Sequence, residues 1–328
     1  MPALPGNRLT LPLGTDNSGI MRSTCLVALV LFLLPGCAER TEHAPVLPPD
    51  NGVAPVLVLL TKDKTSQSPV LGFDGSVYFS HGKNIRIVTP NGRHRLWAFE
   101  PGPRGHRILP DGTHLICDSG RGAILQLDSF GRRLNVVARR SEGEPLQLPT
   151  EVTLDQWSGF FFTDAGDPQS QTGGALHYAT PGHSIRRLVS NLALPTALAL
   201  SADWSTLYLL ENGKNRVLRF QVQQQGTLGP MAVFAELPGS DLSDGQEAAG
   251  GLCFDASGNL YVAYPKMKDV IVLGSEGQPV RRYPIGNPTS GLCFGGPYLD
   301  QLYVTVCEPG ALMRLNLGVR GVDLRPAR

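Results

Sequence analysis

The 328-residue sequence has almost no excess of either charge: Lys and Arg together number 29, Asp and Glu 28. Affinity for a phosphate backbone comes mainly from neutralising it with surplus basic side chains, so no nucleic-acid partner is expected. The longest apolar run, residues 26–34, is too short to span a bilayer, which takes about 20 residues. The six cysteines and seven histidines show no Cys-x-x-Cys, Cys/His or paired-His spacing, so no zinc site is signalled. A Gly-x-Ser-x-Gly elbow and a Gly-rich phosphate loop with Lys are also missing, which leaves serine-hydrolase and nucleotide chemistry without support. No long segment spaces its apolar residues as a helix would, and 27 Pro and 38 Gly interrupt the chain too often to permit one. What these absences leave is a turn-rich, all-β protein, in keeping with 41% hydrophobic and 17% charged residues.

The N-terminus carries an address. From Met21 the chain reads Met-Arg-Ser-Thr-Cys, then the apolar residues 26–34, then Pro35-Gly36-Cys37, which are the basic, apolar and small-residue regions of a secretory signal. Translation is expected to start at Met21, with residues 1–20 an upstream extension. Leu34-Pro35-Gly36-Cys37 resembles a bacterial lipobox, in which Cys37 is acylated and becomes the first mature residue; ordinary signal cleavage is the alternative. Several acyl chains would hold the protein at a membrane in the bacterial cell envelope, facing the periplasm or the exterior. Residues 37–53, rich in Pro and polar side chains, suit a tether. One domain is expected over 54–320, with a short tail over 321–328 and residues 1–36 removed as extension and signal. Four cysteines, Cys117, Cys253, Cys293 and Cys307, remain in apolar, strand-like surroundings, as buried free thiols or, since export permits it, with Cys253 and Cys293 bridged.

The domain repeats itself. Residues 250–264 read as an alternating strand, a turn at Gly258 and a second apolar strand, a β-hairpin. Comparable hairpins occupy 69–81, 105–118, 149–164, 195–211 and 289–307. A third strand follows most of them, as at 123–127 or 270–273, and often a fourth, as at 133–138. Four short strands roughly every 45 residues predict a six-bladed β-propeller of antiparallel blades. The last unit lacks a fourth strand, so Val56-Leu-Val-Leu-Leu is expected to supply it and close the ring.

The hairpins also carry family wording. Residues 251–263 (GLCFDASGNLYVA), Thr289-Ser-Gly-Leu-Cys-Phe-Gly-Gly with Leu302-Tyr-Val-Thr, and Ser68-Pro-Val with Val77-Tyr-Phe-Ser resemble the gluconolactonase and regucalcin family. The resemblance implies a six-bladed propeller that hydrolyses sugar lactones with a divalent metal at one mouth of its channel. Aligned on one another, the hairpins place Gln67, Arg104, Thr150, Thr196, Gly250 and Ser290 at that mouth. The family's metal ligands, a Glu, an Asn and an Asp, match Gln67, Thr196 and Gly250 here, and a further Asn matches Thr150. Calcium and similar cations need about six oxygens, several of them carboxylates, so no cofactor is expected unless ligands have been relocated.

Three functions follow as expectations. A catalytically degenerate propeller would bind a polar small molecule such as a sugar acid or lactone through Gln67, Arg104, Thr150, Thr196 and Ser290. An active lactone hydrolase would use relocated acids: Asp118, Asp164 and Glu211 end second strands near the mouth, with Glu151 or His106 as general base. Acids at such strand-to-turn junctions equally serve to hold turns. A scaffold for envelope proteins, with partners the sequence does not name, is the third.

Overall fold

The protein is described by a computed structural model covering residues 48–49, 53–61, 65–170, 172–182, 184–238 and 250–325. The expected signal, Cys37 and most of the tether lie outside the described residues. Residues Ala44–Arg328 make one compact unit, and within it stand six antiparallel sheets radiating from a common axis.

Each blade runs from the axis outward in chain order. Blade 1 is Ser66–Leu71, Val77–His81, Asn84–Val88 and His94–Phe99; blade 2 is Pro103–Ile108, His114–Asp118, Ala123–Leu127 and Arg133–Ala138. Blade 3 is Pro149–Leu154, Phe160–Asp164, Gly174–Ala179 and Ile185–Leu192; blade 4 is Pro195–Leu200, Thr206–Glu211, Arg216–Gln224 and Ala232–Glu236. Blade 5 is Gly251–Phe254, Leu260–Ala263, Asp269–Leu273 and Pro279–Pro284. Blade 6 takes Thr289–Gly295, Gln301–Val306 and Ala311–Asn316 from the C-terminal end, and its outer strand is Val56–Leu60. Val56 lies opposite Arg314 and Leu60 opposite Ala311, so the expected closure is present. The one described helical turn is Asn212–Lys214.

The period of two in the strands explains the ring. Side chains of neighbouring residues leave opposite faces of a sheet, so a strand that is apolar throughout must be covered on both sides. Leu115 packs into the cluster between blades 2 and 3 with Val152 and Phe162, whereas Ile116 packs between blades 1 and 2 with Ile85 and Trp97. Leu209 and Leu210, and Tyr261 and Val262, divide in the same way between their two neighbours. One apolar cluster fills each of the six joints, the last of them uniting Leu312 of blade 6 with Leu71, Val77 and Phe79 of blade 1.

At the axis the inner strands come close enough to exclude side chains. A Cβ on Gly105 would sit 2.5 Å from the Cα of Glu151 in the next blade, and one on Gly251 would sit 2.6 Å from the amide nitrogen of Leu292. Glycine at both places is therefore a packing requirement. The strands also bulge near their starts, between Pro103 and His106, Pro149 and Glu151, Pro195 and Ala197, and Thr289 and Gly291, which turns them into the channel. The far mouth is crossed by the C-terminal segment: Val322 N donates to Phe254 O at 2.9 Å and Arg325 Nη1 to Gly72 O at 2.9 Å, joining blade 5 to blade 1.

The histidines do form a pair, which sequence spacing concealed. His106 and His114 are diagonal neighbours across the first hairpin of blade 2, with Nε2 and Nδ1 2.6 Å apart, packed against Tyr78 and Trp97. His106 is fully buried between blades 1 and 2, so it is a core residue and not a base at the mouth. Burial, then the neighbouring His114, holds His106 well below the usual imidazole range, and burial brings His114 to about 4. His177, stacked 4.8 Å from Phe162 and bonded to Ser141 Oγ at 2.9 Å, is likewise lowered to about 4 by burial.

The sign of the resulting pH effect follows from proton counting. Above about pH 6.5 these rings are neutral in both folded and unfolded chains; below it the unfolded chain takes up protons that the folded one refuses until about pH 4, so each ring lowers stability as pH falls through that window. Each costs up to about 1.4 kcal/mol per pH unit. Asp118 and Glu151, whose carboxyls burial raises, act in the opposite sense, so a variant isolates the effect. His177→Gln, whatever its offset at neutral pH, should gain stability relative to the parent protein between pH 6.5 and 4 in urea unfolding; a constant difference across that range would contradict the assignment.

Candidate functional site

The mouth begins with one ion-dipole contact. Arg104, on the bulge of blade 2, donates Nη1 to Gln67 Oε1 of blade 1 at 3.2 Å and Nε to Ser119 Oγ at 2.9 Å. A guanidinium and a carboxamide thus meet across the joint between blades 1 and 2. On the opposite side, a Cβ on Gly250 would lie 3.0 Å from Thr196 Oγ1 and 2.6 Å from Leu210 Cδ2. The Thr196 hydroxyl is buried and has no hydrogen-bond partner, so a ligand group reaching it would satisfy a polar atom the fold leaves bare.

The remaining two hydroxyls are engaged in joining blades. Thr150 Oγ1 donates to Pro195 O of blade 4 at 2.9 Å and lies 2.8 Å from Thr163 Oγ1. Ser290 Oγ bonds the Ser66 carbonyl of blade 1, and Thr305 Oγ1 lies 3.2 Å away. The ring expected from sequence thus has a polar pair at Gln67 and Arg104, a bare hydroxyl at Thr196, and structural hydroxyls at Thr150 and Ser290.

The acids at the ends of the second strands share one task. Asp118 Oδ1 accepts Gly102 N at 2.9 Å; Asp164 accepts Leu148 N at 2.7 Å, Gln147 N at 2.8 Å and Gly166 N at 3.1 Å; Glu211 accepts Ala193 N at 2.8 Å. In blades 2, 3 and 4 alike, a carboxylate pins the segment that enters the blade's own inner strand. Arg216 Nε adds a 2.6 Å bond to Glu211, and Arg121 Nε lies 3.2 Å from Asp118. Burial, then the charge of Glu100, raises the Asp118 carboxyl, while N–H bonds from Arg121 and Gly102 pull it back.

Glu151 stands apart from them. It lies on the inner strand of blade 3, its Oε1 3.0 Å from Val152 N and 3.4 Å from Arg107 Nη1 of blade 2. Burial raises its carboxyl and the Arg107 guanidinium partly offsets that. Arg107 escaped sequence reasoning; its signal was the step of three from Arg104 along a bulged inner strand, which points it into the channel. Deeper, Arg107, Thr153, Cys253 and Cys293 line a 130 Å³ cavity beneath Val322 and Leu324 of the C-terminal segment. Cys117, Cys253 and Cys293 are free thiols, and burial raises the Cys293 thiol to about 12, far from a reactive thiolate.

These residues do not fit a hard divalent cation. At the three positions that the family resemblance assigns to metal, Gln67 offers one amide oxygen already bonded to a guanidinium, Thr196 a neutral hydroxyl and Gly250 nothing. Among the described residues no three His, Cys, Asp or Glu side chains converge as a ligand set.

The pinning role makes a prediction. Asp164→Ala would leave the Gln147 and Leu148 N–H groups unpaired, so it should lower unfolding free energy by about 2–4 kcal/mol, read by urea denaturation. A loss below ~0.5 kcal/mol would contradict that role.

Comparison with known proteins agrees with the fold and its hairpin wording. Residues 68–308 match the model of the SMP-30/Gluconolactonase/LRE-like region. Lactonase drp35 of Staphylococcus saprophyticus is 29% identical over 184 residues, 54% of this chain and 55% of that protein. Its counterpart in Staphylococcus aureus is 26% identical over 231 residues, 67% of this chain and 66% of that protein, so the alignments span between half and two thirds of these relatives. Among solved structures, a gluconolactonase of Xanthomonas campestris superposes with a TM-score of 0.70 at 20% identity, over 82% of this chain and 94% of that one. A calcium-binding regucalcin of Agrobacterium tumefaciens gives 0.72 at 18% identity, over 84% and 97%. At such identities the superpositions speak for the propeller, and the match over residues 68–308 speaks for the family: the chain belongs to the SMP-30/gluconolactonase/LRE-like family.

Proposed function

We propose that this chain is an exported, lipid-anchored propeller that binds a polar small molecule bearing a carboxylate, such as a sugar acid or the acid form of a lactone, and that the family's metal-dependent hydrolysis has been lost from it. The observation that carries the reading is the Arg104 to Gln67 contact, which sets a cation where the family resemblance calls for a metal-binding carboxylate. A guanidinium with part of its surface open to the mouth suits a ligand carboxylate, since charge-assisted hydrogen bonds are about twice as strong as neutral ones. The bare Thr196 hydroxyl across the mouth suits a sugar oxygen. Glu151, Asp164 and Glu211 are then structural carboxylates.

The relatives named lactonase and gluconolactonase favour a second reading, an active lactone hydrolase with a relocated metal and a catalytic role for Glu151, Asp164 or Glu211. One experiment separates the two: metal analysis of the purified protein, calorimetry with gluconate, and gluconolactone hydrolysis with and without calcium. The proposal expects gluconate binding that weakens ten-fold or more in Arg104→Ala, and no calcium-dependent turnover. Stoichiometric metal with turnover that Glu151→Gln abolishes would replace it with the hydrolase.

Anchoring is tested independently. The parent protein should fractionate with membranes and yield an acylated N-terminal peptide by mass spectrometry, and Cys37→Ala should lose the acylation. An unmodified Cys37 in the mature protein would remove the anchor from the proposal.

A further inference from the structure

We propose that the rim formed by the outer strands of blades 6, 1 and 2 is a membrane-docking surface, resting against anionic phospholipid headgroups. Of the twelve large apolar side chains exposed among the described residues, eight lie on Val56–Leu60, on His94–Phe99, or on Arg133–Ala138 with the turn that leads into it. Leu57 is 52% exposed, Leu96 53%, Phe99 63%, Phe130 72% and Leu134 55%, values that put these side chains on the surface rather than at its edge. Apolar groups exposed singly need no explanation, but such a concentration on three consecutive blades marks an interaction surface.

The three strands are joined through direct contacts. Trp97 Nε1 donates to Ser129 O at 3.1 Å, a Cβ on Gly131 would meet Trp97 O at 2.4 Å, and Arg133 Nη1 lies 3.6 Å from Glu100 Oε2. The turn that presents Phe130 therefore rests on the outer strand of blade 1. On the other flank Val58 and Leu59 pack against the blade 1 cluster, which leaves Leu57 and Leu60 facing outward.

Charge selects the partner. Residues 53–61, 89–99 and 129–140 contain six arginines and no carboxylate, in a chain whose totals of 29 and 28 nearly balance. All six, Arg93, Arg95, Arg132, Arg133, Arg139 and Arg140, are exposed. Arg132 pairs with Asp128, Arg133 lies near the buried Glu100, and the exposed Glu142 and Glu144 follow Arg139 and Arg140 in one short hairpin, so the net positive charge is carried chiefly by Arg93 and Arg95. Apolar tips set among arginines match the headgroup boundary of an anionic bilayer, where guanidinium groups meet phosphates and apolar side chains reach the acyl region. A second copy is a poor match, because a symmetric contact between two such rims would oppose arginine with arginine.

The path of the chain agrees with this placement. Pro48 O and Pro49 O accept from Arg281 Nε at 2.9 Å and Tyr283 OH at 3.1 Å on blade 5, next to the start of the rim at Val56. Residues 37–48 can extend at most about 40 Å, so a lipid on Cys37 would keep the rim within reach of the bilayer. This last point rests on the anchoring proposed above; the surface itself does not.

The test uses the compact unit Ala44–Arg328, which holds every closing contact of the ring, produced without leader or lipid. It is mixed with phosphatidylcholine vesicles, either pure or containing about one third phosphatidylglycerol. Co-sedimentation with the anionic vesicles, weakened by salt, is expected. Arg93→Glu/Arg95→Glu should lower partitioning at least ten-fold, each arginine accounting for roughly five-fold. Phe99→Glu/Phe130→Glu should abolish it, and thermal unfolding should show that both variants stay folded. Failure of the folded unit to bind anionic vesicles, or equal binding to neutral ones, would overturn the proposal. So would a concentration-dependent dimer that Phe99→Glu dissociates, which would make the rim an interface between copies. An unmodified Cys37 would leave this result untouched, so the two readings fail separately.

Discussion

Closure of the ring is the constraint on which the rest of this molecule depends. A blade with apolar side chains on both faces cannot bury either face alone, and it finds its two covers in the blades before and after it. The apolar cluster between blades 6 and 1 exists because Val56–Leu60 pairs with Ala311–Asn316, so residues nearly the whole domain apart complete one sheet. Without that strand Leu312, Leu71 and Phe79 would lose part of their cover.

The same closeness decides what the channel can do. Inner strands that approach through Gly105, Gly251 and Gly291 leave little room for side chains at their level, and Thr150 and Ser290 use their hydroxyls to fasten one blade to the next. The other polar groups at the channel are the Arg104 and Gln67 pair, the Thr196 hydroxyl and, deeper, Arg107 beside Glu151. Asp118, Asp164 and Glu211 look like site residues by position. Asp164 accepts three N–H bonds, Asp118 accepts two on Oδ1 with Arg121 beside Oδ2, and Glu211 accepts one beside Arg216 and Lys214, so each holds the segment entering its blade.

The residues that carry the family wording and those at the channel mouth are different residues in this protein. The hairpin wording that identifies the family is turn and core wording: the Asp255, Ser257, Gly258 and Asn259 turn bonded through the Asp255 carboxylate, followed by Leu260, Tyr261 and Val262 in the joints between blades. Those residues specify shape. The positions that the family resemblance assigns to metal, Gln67, Thr196 and Gly250, are separate from those residues.

The architecture was legible in the amino-acid sequence because it rests on period-two alternation and on turns, both of which are local. Six hairpins, the third and fourth strands and even the closing strand at Val56 could be read that way, since an unpartnered apolar strand at one end answers a missing one at the other. What escaped was everything set by neighbours in space. The His106 and His114 pair lies across a hairpin, the Arg107 and Glu151 pair across two blades, and the apolar and basic rim across three. Sequence alone determined that this chain makes a propeller; only the tertiary structure decided which polar groups line its channel and which are already bonded to a neighbour, because a polar group's role depends on whether the neighbouring blade has already satisfied it.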